Sequence, residues 1–268
     1  MLFRRAFAIV TLLLIAARAD AQFSVSNPAP GEQFHAEVSL LFWKPTPELR
    51  LNTAELTNAG VGEIDFVQEF AIEKDRFREY RLTLKPGRKH KLRYSSLPIE
   101  YTPSATLTRT IQFGNLTVPI RTPATAELKW TVRRYGYEYD FIAMDRGYVG
   151  VIAELKDNKV SASVTADPYG TEATEQRAVI PTIGVAARGY PHRLFSITGE
   201  LTGLKVPGRF KDTLSGKLVD FDLYGTLSLG RNVAVQGGYR SLLVDYLTDT
   251  DAGHLRMKGM YWGGLLRF

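Results

Sequence analysis

Alternation of apolar and polar residues, sustained over about ten residues at a time, is the feature that most constrains this chain. The segment 221–229 reads FDLYGTLSL and the segment 126–133 reads AELKWTVR, so every second residue is polar. Successive side chains of a β-strand point to opposite faces, and these segments therefore predict strands with one apolar and one polar face. Beyond Gln22 the sequence has few amphipathic helix patterns and no apolar run long enough to form a membrane-spanning helix.

The connections between the alternating segments are long and short in turn. Tight turns are predicted at 86–89, 144–147, 189–193 and 230–232, and longer polar connections at about 44–76, 112–125, 167–177, 207–217 and 248–253. Strands are then predicted near 35–43, 77–85, 90–103, 126–142, 148–165, 178–189, 194–206, 218–229, 233–247 and 254–268. An even number of strands with short turns at one end and long loops at the other is typical of an all-β fold, the closed antiparallel transmembrane β-barrel. Both chain termini are then expected at the periplasmic end.

Two frames of polar residues meet around Arg133–Tyr135 and again around Arg240–Leu242. A change of frame within one strand predicts a β-bulge, because one extra residue moves all the following side chains to the other face. The assignment of residues to the inside or the outside of the barrel stays open at these two places.

The first 21 residues, MLFRRAFAIVTLLLIAARADA, have the order of an export signal. Arg4 and Arg5 precede an apolar run over 6–17, which ends before the small-x-small cleavage site Ala19-Asp20-Ala21. The run is short for a transmembrane helix, although an uncleaved anchor is the alternative. The predicted organisation is a signal peptide over 1–21, a Pro-containing periplasmic lead-in over 22–33 and a barrel domain over 34–268.

Composition excludes several classes of site. The chain has 268 residues, a formal net charge of +6 and no cysteine, which excludes a disulfide scaffold, a Cys-ligated metal and a thiol nucleophile. Its four histidines leave little material for a metal centre, so neither a metal nor another cofactor is expected. The basic excess is small and interspersed with acidic residues, which argues against nucleic-acid binding.

The charged residues of the polar face are expected inside the barrel. A membrane barrel turns apolar residues to lipid and polar residues to the lumen, where charges of both signs must pair because an unpaired buried charge is costly. The predicted lumen network is Glu79, Arg81, Arg93, Lys129, Arg133, Glu154, Glu200, Asp222 and Arg240. A barrel of ten strands has little spare interior, so a paired ionic plug is expected and a narrow pore is the alternative.

Aromatic residues favour a membrane barrel over a soluble one. Trp and Tyr prefer the boundary between lipid and water, because each has an apolar body and a polar tip. The predicted membrane-interface aromatics are Tyr135, Tyr137, Tyr139, Phe141, Tyr148 and Trp262.

The C-terminal strand carries the most specific motif. The chain ends KGMYWGGLLRF, and the alternate residues from Met260 to Phe268 share one face. Tyr261, Gly263, Leu266 and Phe268 fill the polar-x-Gly-x-x-apolar-x-apolar spacing, which resembles the C-terminal assembly signal of bacterial outer-membrane barrels. The resemblance implies that the barrel-assembly machinery pairs with this strand edge, as in β-augmentation.

Four internal segments extend the resemblance along the mature chain: 135–140, 150–156, 220–225 and 237–240. They look like exported bacterial barrel proteins of uncharacterised function, similar in plan to the small OmpA- or OmpW-type barrels but with two more strands than their eight. The resemblance implies a multi-pass protein of the bacterial outer membrane, in contact with outer-membrane lipids and lipopolysaccharide. It implies no activity and no external ligand.

Three classes of function stay open. A structural or surface-interaction barrel with a charged, largely filled lumen is favoured, a narrow porin-like channel for ions or small solutes is the alternative, and a hydrolase is the third. An omptin-like protease is also ten-stranded, with acids and a His at its outer rim, where this chain has Asp245, Asp249, Asp251 and His254. No omptin motif is recognisable and no Ser–His spacing indicates a lipid-A-modifying enzyme, so no catalytic residue is assigned. Asp249–Gly253 starts like a calcium loop but lacks the distal Glu, which favours an ordinary turn.

Overall fold

The computed structural model describes residues 28–53, 64–206, 214–248 and 251–268, and the predicted signal peptide lies outside this part of the chain. Its strands are β1 (Ala36–Thr53), β2 (Ile64–Asp65), β3 (Phe77–Gly87), β4 (His90–Tyr101), β5 (Ser104–Thr106), β6 (Ile111–Phe113), β7 (Leu116–Val118), β8 (Pro123–Met144), β9 (Gly147–Ala166), β10 (Gly170–His192), β11 (Phe195–Val206), β12 (Leu214–Ser228), β13 (Val233–Thr248) and β14 (Asp251–Arg267). A one-turn 3-10 helix (Pro30–Glu32) precedes β1, and the short helix α1 (Phe66–Glu69) follows β2. Among the described residues, no helix is long and apolar enough to cross a bilayer.

Ten long strands close into one antiparallel barrel, which confirms the predicted fold. Neighbours pair in the order β1-β3-β4-β8-β9-β10-β11-β12-β13-β14, and β14 pairs back onto β1 from Glu37–Arg267 to Thr53–Asp251. The short strands β2 and β5 add to β1 and β8, and β6 with β7 forms a separate hairpin.

The two ends of the barrel differ as the loop lengths predict. We call the end with the four tight turns the turn end and the opposite end the loop end. Both termini lie at the turn end, where the His35 N–H donates to the Phe268 carbonyl over 2.7 Å. Several strands extend farther toward the loop end than predicted, most of all β1, which continues to Thr53, and β10, which begins at Gly170. Pro45 and Pro47 have no N–H to donate to a neighbouring strand, yet both positions stay in register with β14.

The outward face changes from apolar to polar along every barrel strand. On β9 the outward residues Val151 and Leu155 are 42% and 50% exposed, and the next outward positions toward the loop end are Asp157 and Lys159. The outward face near the turn end is therefore an apolar band that surrounds the barrel, and beyond it the outward face is polar.

The inward face changes in the opposite sense at the same level. On β8 the inward residues Glu138 and Arg134 near the turn end give way to Val132 and Trp130 nearer the loop end, and all four are buried. The turn-end section thus has the arrangement of a membrane barrel, with apolar residues outside and polar residues inside. The loop-end section has the arrangement of a water-soluble barrel.

This inversion explains the two changes of frame in the sequence, and the predicted bulges are wrong. Strand pairing is continuous through Arg133–Tyr135 and through Arg240–Leu242. Arg133 and Tyr135 both face outward, and Arg240 and Leu242 both face inward, so only the polarity of each face changes. Register shifts occur nearer the turn end, for example between Asp140 and Ile142.

An apolar core fills the loop-end section of the barrel. It includes Trp43, Leu97, Ile99, Trp130, Val132, Leu242 and Met257 from the barrel strands, each at most 2% exposed. Residues of the connections between barrel strands pack onto it, namely Phe70, Ile72, Leu107 and Val118. The extension beyond the apolar band is therefore a packed body, in which burial of large side chains supplies the stability.

Candidate functional site: an ionic plug across the lumen

The centre of the lumen in the turn-end section is a network of buried ion pairs. Asp220 of β12 accepts hydrogen bonds from Arg240 Nε and Nη2 at 3.0 and 2.9 Å and from Lys156 Nζ at 2.8 Å. Glu79 of β3 accepts from Arg134 at 2.5 Å and from Arg240 at 3.1 Å. Since these residues come from β3, β8, β9, β12 and β13, the network reaches from one wall of the barrel to the other.

A second group extends the network toward β14. Arg81 donates to Glu79 and to Asp222, each at 2.9 Å. The Tyr261 hydroxyl donates to the other oxygen of Asp222 at 2.8 Å, and the Arg81 guanidinium lies 5.3 Å from the centre of the Tyr261 ring. Tyr261, the polar residue of the predicted assembly signal, is therefore a lumen residue.

A third group lies nearer the turn end. Arg93 pairs with Glu200 at 2.5 Å and with Glu138 at 2.8 Å. Lys91 pairs with Glu138 at 2.7 Å and with Asp140 at 2.8 Å. Buried pairs offset the cost of desolvation only when the charged groups are satisfied from several sides. Lys91, Arg93 and Glu138 meet this condition, because each has two charged partners.

The plug leaves little open volume within the lumen. The space beside Arg81, Arg93 and Arg134 has a volume of about 20 Å³, and a larger cavity of about 110 Å³ lies at the turn end beside Glu32 and Tyr148. Tyr148 is 4% exposed, and the Lys91 ammonium lies 3.1 Å from the centre of its ring. A hydrated ion therefore meets side chains that are already paired with one another.

Glu32, in the lead-in before β1, closes the turn end of the plug. Its carboxylate lies 3.0 Å from Lys85 Nζ and 3.4 Å from Arg188, and it accepts a hydrogen bond from the Tyr190 hydroxyl at 3.1 Å. Burial alone would raise the pKa of Glu32, but the positive charges of Lys85 and Arg188 outweigh burial and lower the pKa from 4.5 to about 2.

Replacing Glu32 by Gln is expected to remove a pH-dependent part of the barrel's stability. Because the folded-state pKa is depressed, ionised Glu32 stabilises the fold fully above pH 4.5, and this stabilisation is lost as the pH falls toward about 2. Denaturant midpoints of the refolded barrel, measured between about pH 6 and pH 3, should therefore fall more for the wild type than for Glu32→Gln. The matched control is Glu175→Gln, since Glu175 forms a solvent-exposed pair with Lys159 at 2.9 Å. Equal pH profiles for the wild type and Glu32→Gln would contradict this role.

The structure places seven of the nine predicted lumen residues inside the barrel and corrects the other two. The seven are Glu79, Arg81, Arg93, Glu154, Glu200, Asp222 and Arg240. Lys129 is half-exposed on the outer face, where it pairs with Glu127 and Glu100, and Arg133 is exposed beside it. Both lie in the loop-end section, in which the outward face is the polar one.

Sequence reasoning missed several members of the plug: Arg134, Glu138, Asp140, Lys156 and Asp220. Arg134 lies on the same face of β8 as Trp130 and Val132, so the local pattern predicts an apolar face there. Strict alternation traced through the whole strand would have found it, because the residue keeps its face while the polarity of that face changes.

Five of the six predicted interface aromatics lie on the outer surface. Tyr135, Tyr137, Tyr139 and Phe141 follow one another along the outward face of β8, and Trp262 is 60% exposed with its ring 5.0 Å from that of Phe42. Tyr148 is the exception and belongs to the plug, because its position on β9 has the parity of the inward face.

The C-terminal motif divides between the two faces. Leu266 and Phe268 are 49% and 67% exposed on the apolar band, whereas Tyr261 and Gly263 are buried inside. The Phe268 N–H donates to the Ala36 carbonyl at 2.8 Å, so the last residue takes part in barrel closure. Recognition of this motif by an assembly machinery stays a prediction.

The predicted rim residues form one pair. His254 Nδ1 lies 2.6 Å from Asp245 Oδ1, and the two residues lie opposite each other on β14 and β13 with their side chains on the outer face. Asp249 and the side chain of Asp251 lie outside the described part. No group of three or more His, Asp or Glu suited to a metal ion occurs among the described residues.

Comparison with known proteins identifies the fold. No protein-family model and no curated protein matches the chain. Among solved structures, the outer-membrane protease OmpT of Escherichia coli is similar with a TM-score of 0.55 and 8% identity, over 92% of this chain and 99% of that one. The toluene transporter TodX of P. putida has a TM-score of 0.39 and 7% identity, over 91% and 93% of the two chains. Neisserial surface protein A has a TM-score of 0.36 and 12% identity, over 87% and 97%.

The closed barrel observed here agrees with the similarity to OmpT. The likeness to OmpT spans nearly the whole of both chains, and at this identity it concerns the fold alone. The chain has the ten-stranded closed antiparallel fold of the bacterial outer-membrane β-barrels.

Proposed function

We propose that this protein is a non-conducting barrel of the bacterial outer membrane with a structural or surface-interaction role. The observation that carries the proposal is the inversion of polarity along the strands. A membrane-type section anchors the chain, and its plugged lumen supports a packed extension on the external side. The outer face of that extension is polar, which suits contact with water, sugars or other external partners.

The plug is the reason to prefer this role over that of a channel. Asp220 and Glu79 each bind cations from more than one strand, so opening a path requires breaking several buried pairs at once. The apolar core of the loop-end section adjoins the plug on its loop-end side and is a second barrier to the passage of ions.

Planar-bilayer recordings test this proposal. The refolded protein, shown to be inserted by its heat-modifiable gel migration, is expected to give no discrete conductance steps in a bilayer in which a general porin does. Discrete steps from the purified barrel would overturn the non-conducting role and favour the narrow channel. Failure to insert, with a single migration state, would instead contradict the membrane assignment.

An enzymatic role is not part of the proposal. The solved structure with the highest likeness reported above is a protease, but the Asp245–His254 pair faces outward, and the two side chains are 38% and 42% exposed. The inward face at the same level carries apolar residues such as Trp130, Leu242 and Met257. A general base needs a substrate within hydrogen-bond reach in a pocket, and this pair lies on the convex wall of the barrel.

A further inference from the structure

A ring of charged residues surrounds the barrel where the apolar band ends. Nine of the ten barrel strands contribute one residue each, namely the first charged outward-facing residue that follows the apolar band in the direction of the loop end. The remaining strand, β4, has Ser96 at that level. Seven of its members are basic and two are acidic, a net charge of +5. We call it the basic ring, and its members are described below strand by strand.

Both acidic members of the basic ring already have a basic partner. Asp157 of β9 holds Arg177 of β10 in a bidentate pair at 2.8 and 2.9 Å, and Arg133 lies opposite it on β8. Asp245 of β13 lies 2.6 Å from His254. Asp245 lies directly opposite Lys217 in the register of β12 and β13, yet among the described residues its ion pair is with His254 and not with Lys217.

The two lysines of β11 and β12 face each other. Lys205 and Lys217 are directly opposite in register, and both are exposed on the outer face. Cβ atoms of directly opposite residues lie about 5 Å apart, and like charges at such positions destabilise a sheet. Within the part of the chain that the structure describes, no carboxylate pairs with either ammonium. An anion that binds both ammonium groups would relieve this repulsion.

A second basic group lies on the other side of the barrel, on β14, β1 and β3. Lys44 and Arg78 are exposed diagonal neighbours, and Lys258 is the diagonal neighbour of Lys44 on its other side. Glu48 compensates Lys258 at 2.5 Å. Among the described residues, Lys44 and Arg78 have no such compensation, and they lie directly beyond the band residues Phe42 and Tyr80.

We infer that the basic ring binds phosphate groups of lipids in the outer leaflet, principally at Lys205–Lys217 and at Lys44–Arg78. The inference rests on the proposed outer-membrane location. At the end of an apolar band, the adjacent groups of a bilayer are its headgroups, and a phosphate accepts charge-assisted hydrogen bonds from two basic side chains at once. Free phosphate offers the same charge, but a lipid also places its acyl chains on the apolar band, so a phosphorylated glycolipid of the lipid A type is the ligand.

Native mass spectrometry of the refolded barrel in detergent tests the inference. The probes are bis-phosphorylated lipid A, the same lipid without its phosphates, and inorganic phosphate. Since each basic residue near an anionic surface contributes about fivefold to binding, Lys205→Gln with Lys217→Gln should weaken retention of lipid A on the order of twentyfold. Lys44→Gln with Arg78→Gln should do the same, and added salt should weaken wild-type binding.

The matched control is Lys129→Gln with Lys159→Gln, two exposed lysines of β8 and β9 that lie farther from the band and pair with carboxylates. This control should retain lipid A as the wild type does. Equal binding of the dephosphorylated lipid, wild-type binding by both ring variants, or equally tight binding of inorganic phosphate would each overturn the inference. Heat-modifiable migration of every variant shows separately that the barrel is formed, so a failure of the membrane assignment is distinguishable from a failure of the ring.

Discussion

Replacing Asp220 by Ala is expected to destabilise the folded barrel by about 3–5 kcal/mol, or to prevent its folding, because it leaves several buried cations without their shared anion. Arg240 loses two hydrogen bonds of 3.0 and 2.9 Å, and Lys156 loses one of 2.8 Å. Asp220 is 4% exposed, so water replaces the carboxylate poorly.

Urea titration of the refolded protein in detergent micelles, followed by the fraction that migrates as the heat-modifiable form, measures this effect. The matched control is Asp245→Ala, which removes the same side chain from an exposed pair with His254. It should cost less than about 1 kcal/mol, as is typical of surface pairs.

A second variant keeps the prediction testable if Asp220→Ala does not fold. Combining Asp220→Ala with Arg240→Met removes the cation that makes the most bonds to Asp220 and replaces it with an apolar side chain. Part of the lost stability should return, because replacing both members of a buried pair costs less than removing one. A single variant as stable as the wild type would show that the plug is hydrated and that its pairs contribute little.

The barrel itself was predictable because strand and turn patterns are local. Alternation and loop lengths gave the ten strands with most ends close to those observed, and the structure confirms their closure. The exceptions, such as the continuation of β1 past Pro45, lie in the loop-end section. Those strands extend beyond the apolar band, so the expected length of a membrane strand no longer limits them.

The lumen was predictable only in part, because alternation was interpreted as if one solvent surrounded each strand from end to end. A rule that assigns every charge to the lumen predicts Lys129 and Arg133 inside, although both face outward in the loop-end section. The same rule does not predict Arg134 in the lumen, because Arg134 shares the inward face of β8 with the apolar residue Trp130. Each strand crosses two environments. The odd or even position of a residue in the strand decides whether its side chain faces inward or outward, and its position along the barrel axis decides whether that face is apolar or polar.

The pairing partners within the plug could not be predicted from sequence. Arg81 reaches Asp222 across 141 positions of the chain, and Arg134 reaches Asp220 across 86. Such contacts depend on the curvature of the closed barrel, which no local pattern specifies. Glu32 had no signal either, because it precedes the first strand and its partners come from β3 and β10.

Replacing Gly263 by Val is expected to cost about 3 kcal/mol or more, because the closure of the barrel leaves no room for a side chain there. Gly263 faces the lumen on β14, directly opposite Leu41 of β1. A Cβ at this position would overlap the carbonyl oxygen of Leu40 and lie 2.8 Å from Leu41 Cα. Both obstacles belong to the backbone, so relief requires moving β1 away from β14 along the seam that joins the two ends of the chain.

The neighbouring residue provides the matched control. Gly264 faces outward on the same strand, and a Cβ there would come no closer than 3.9 Å to the Ala234 carbonyl oxygen. Gly264→Val should therefore change stability by less than about 1 kcal/mol, since a β-branched residue suits a strand that faces lipid. Urea midpoints of the two refolded variants give the comparison without any assembly machinery present.

This pair of variants separates two explanations for the glycine of the C-terminal motif. If Gly263→Val refolds in vitro with a much lower urea midpoint than Gly264→Val, the close approach of β14 to β1 requires the glycine. The folded structure would then explain the glycine of the motif without any role in recognition by an assembly machinery. If Gly263→Val matches Gly264→Val in detergent, β1 and β14 tolerate a wider separation than the structure shows. The close approach of the two backbones would then not account for a glycine at position 263.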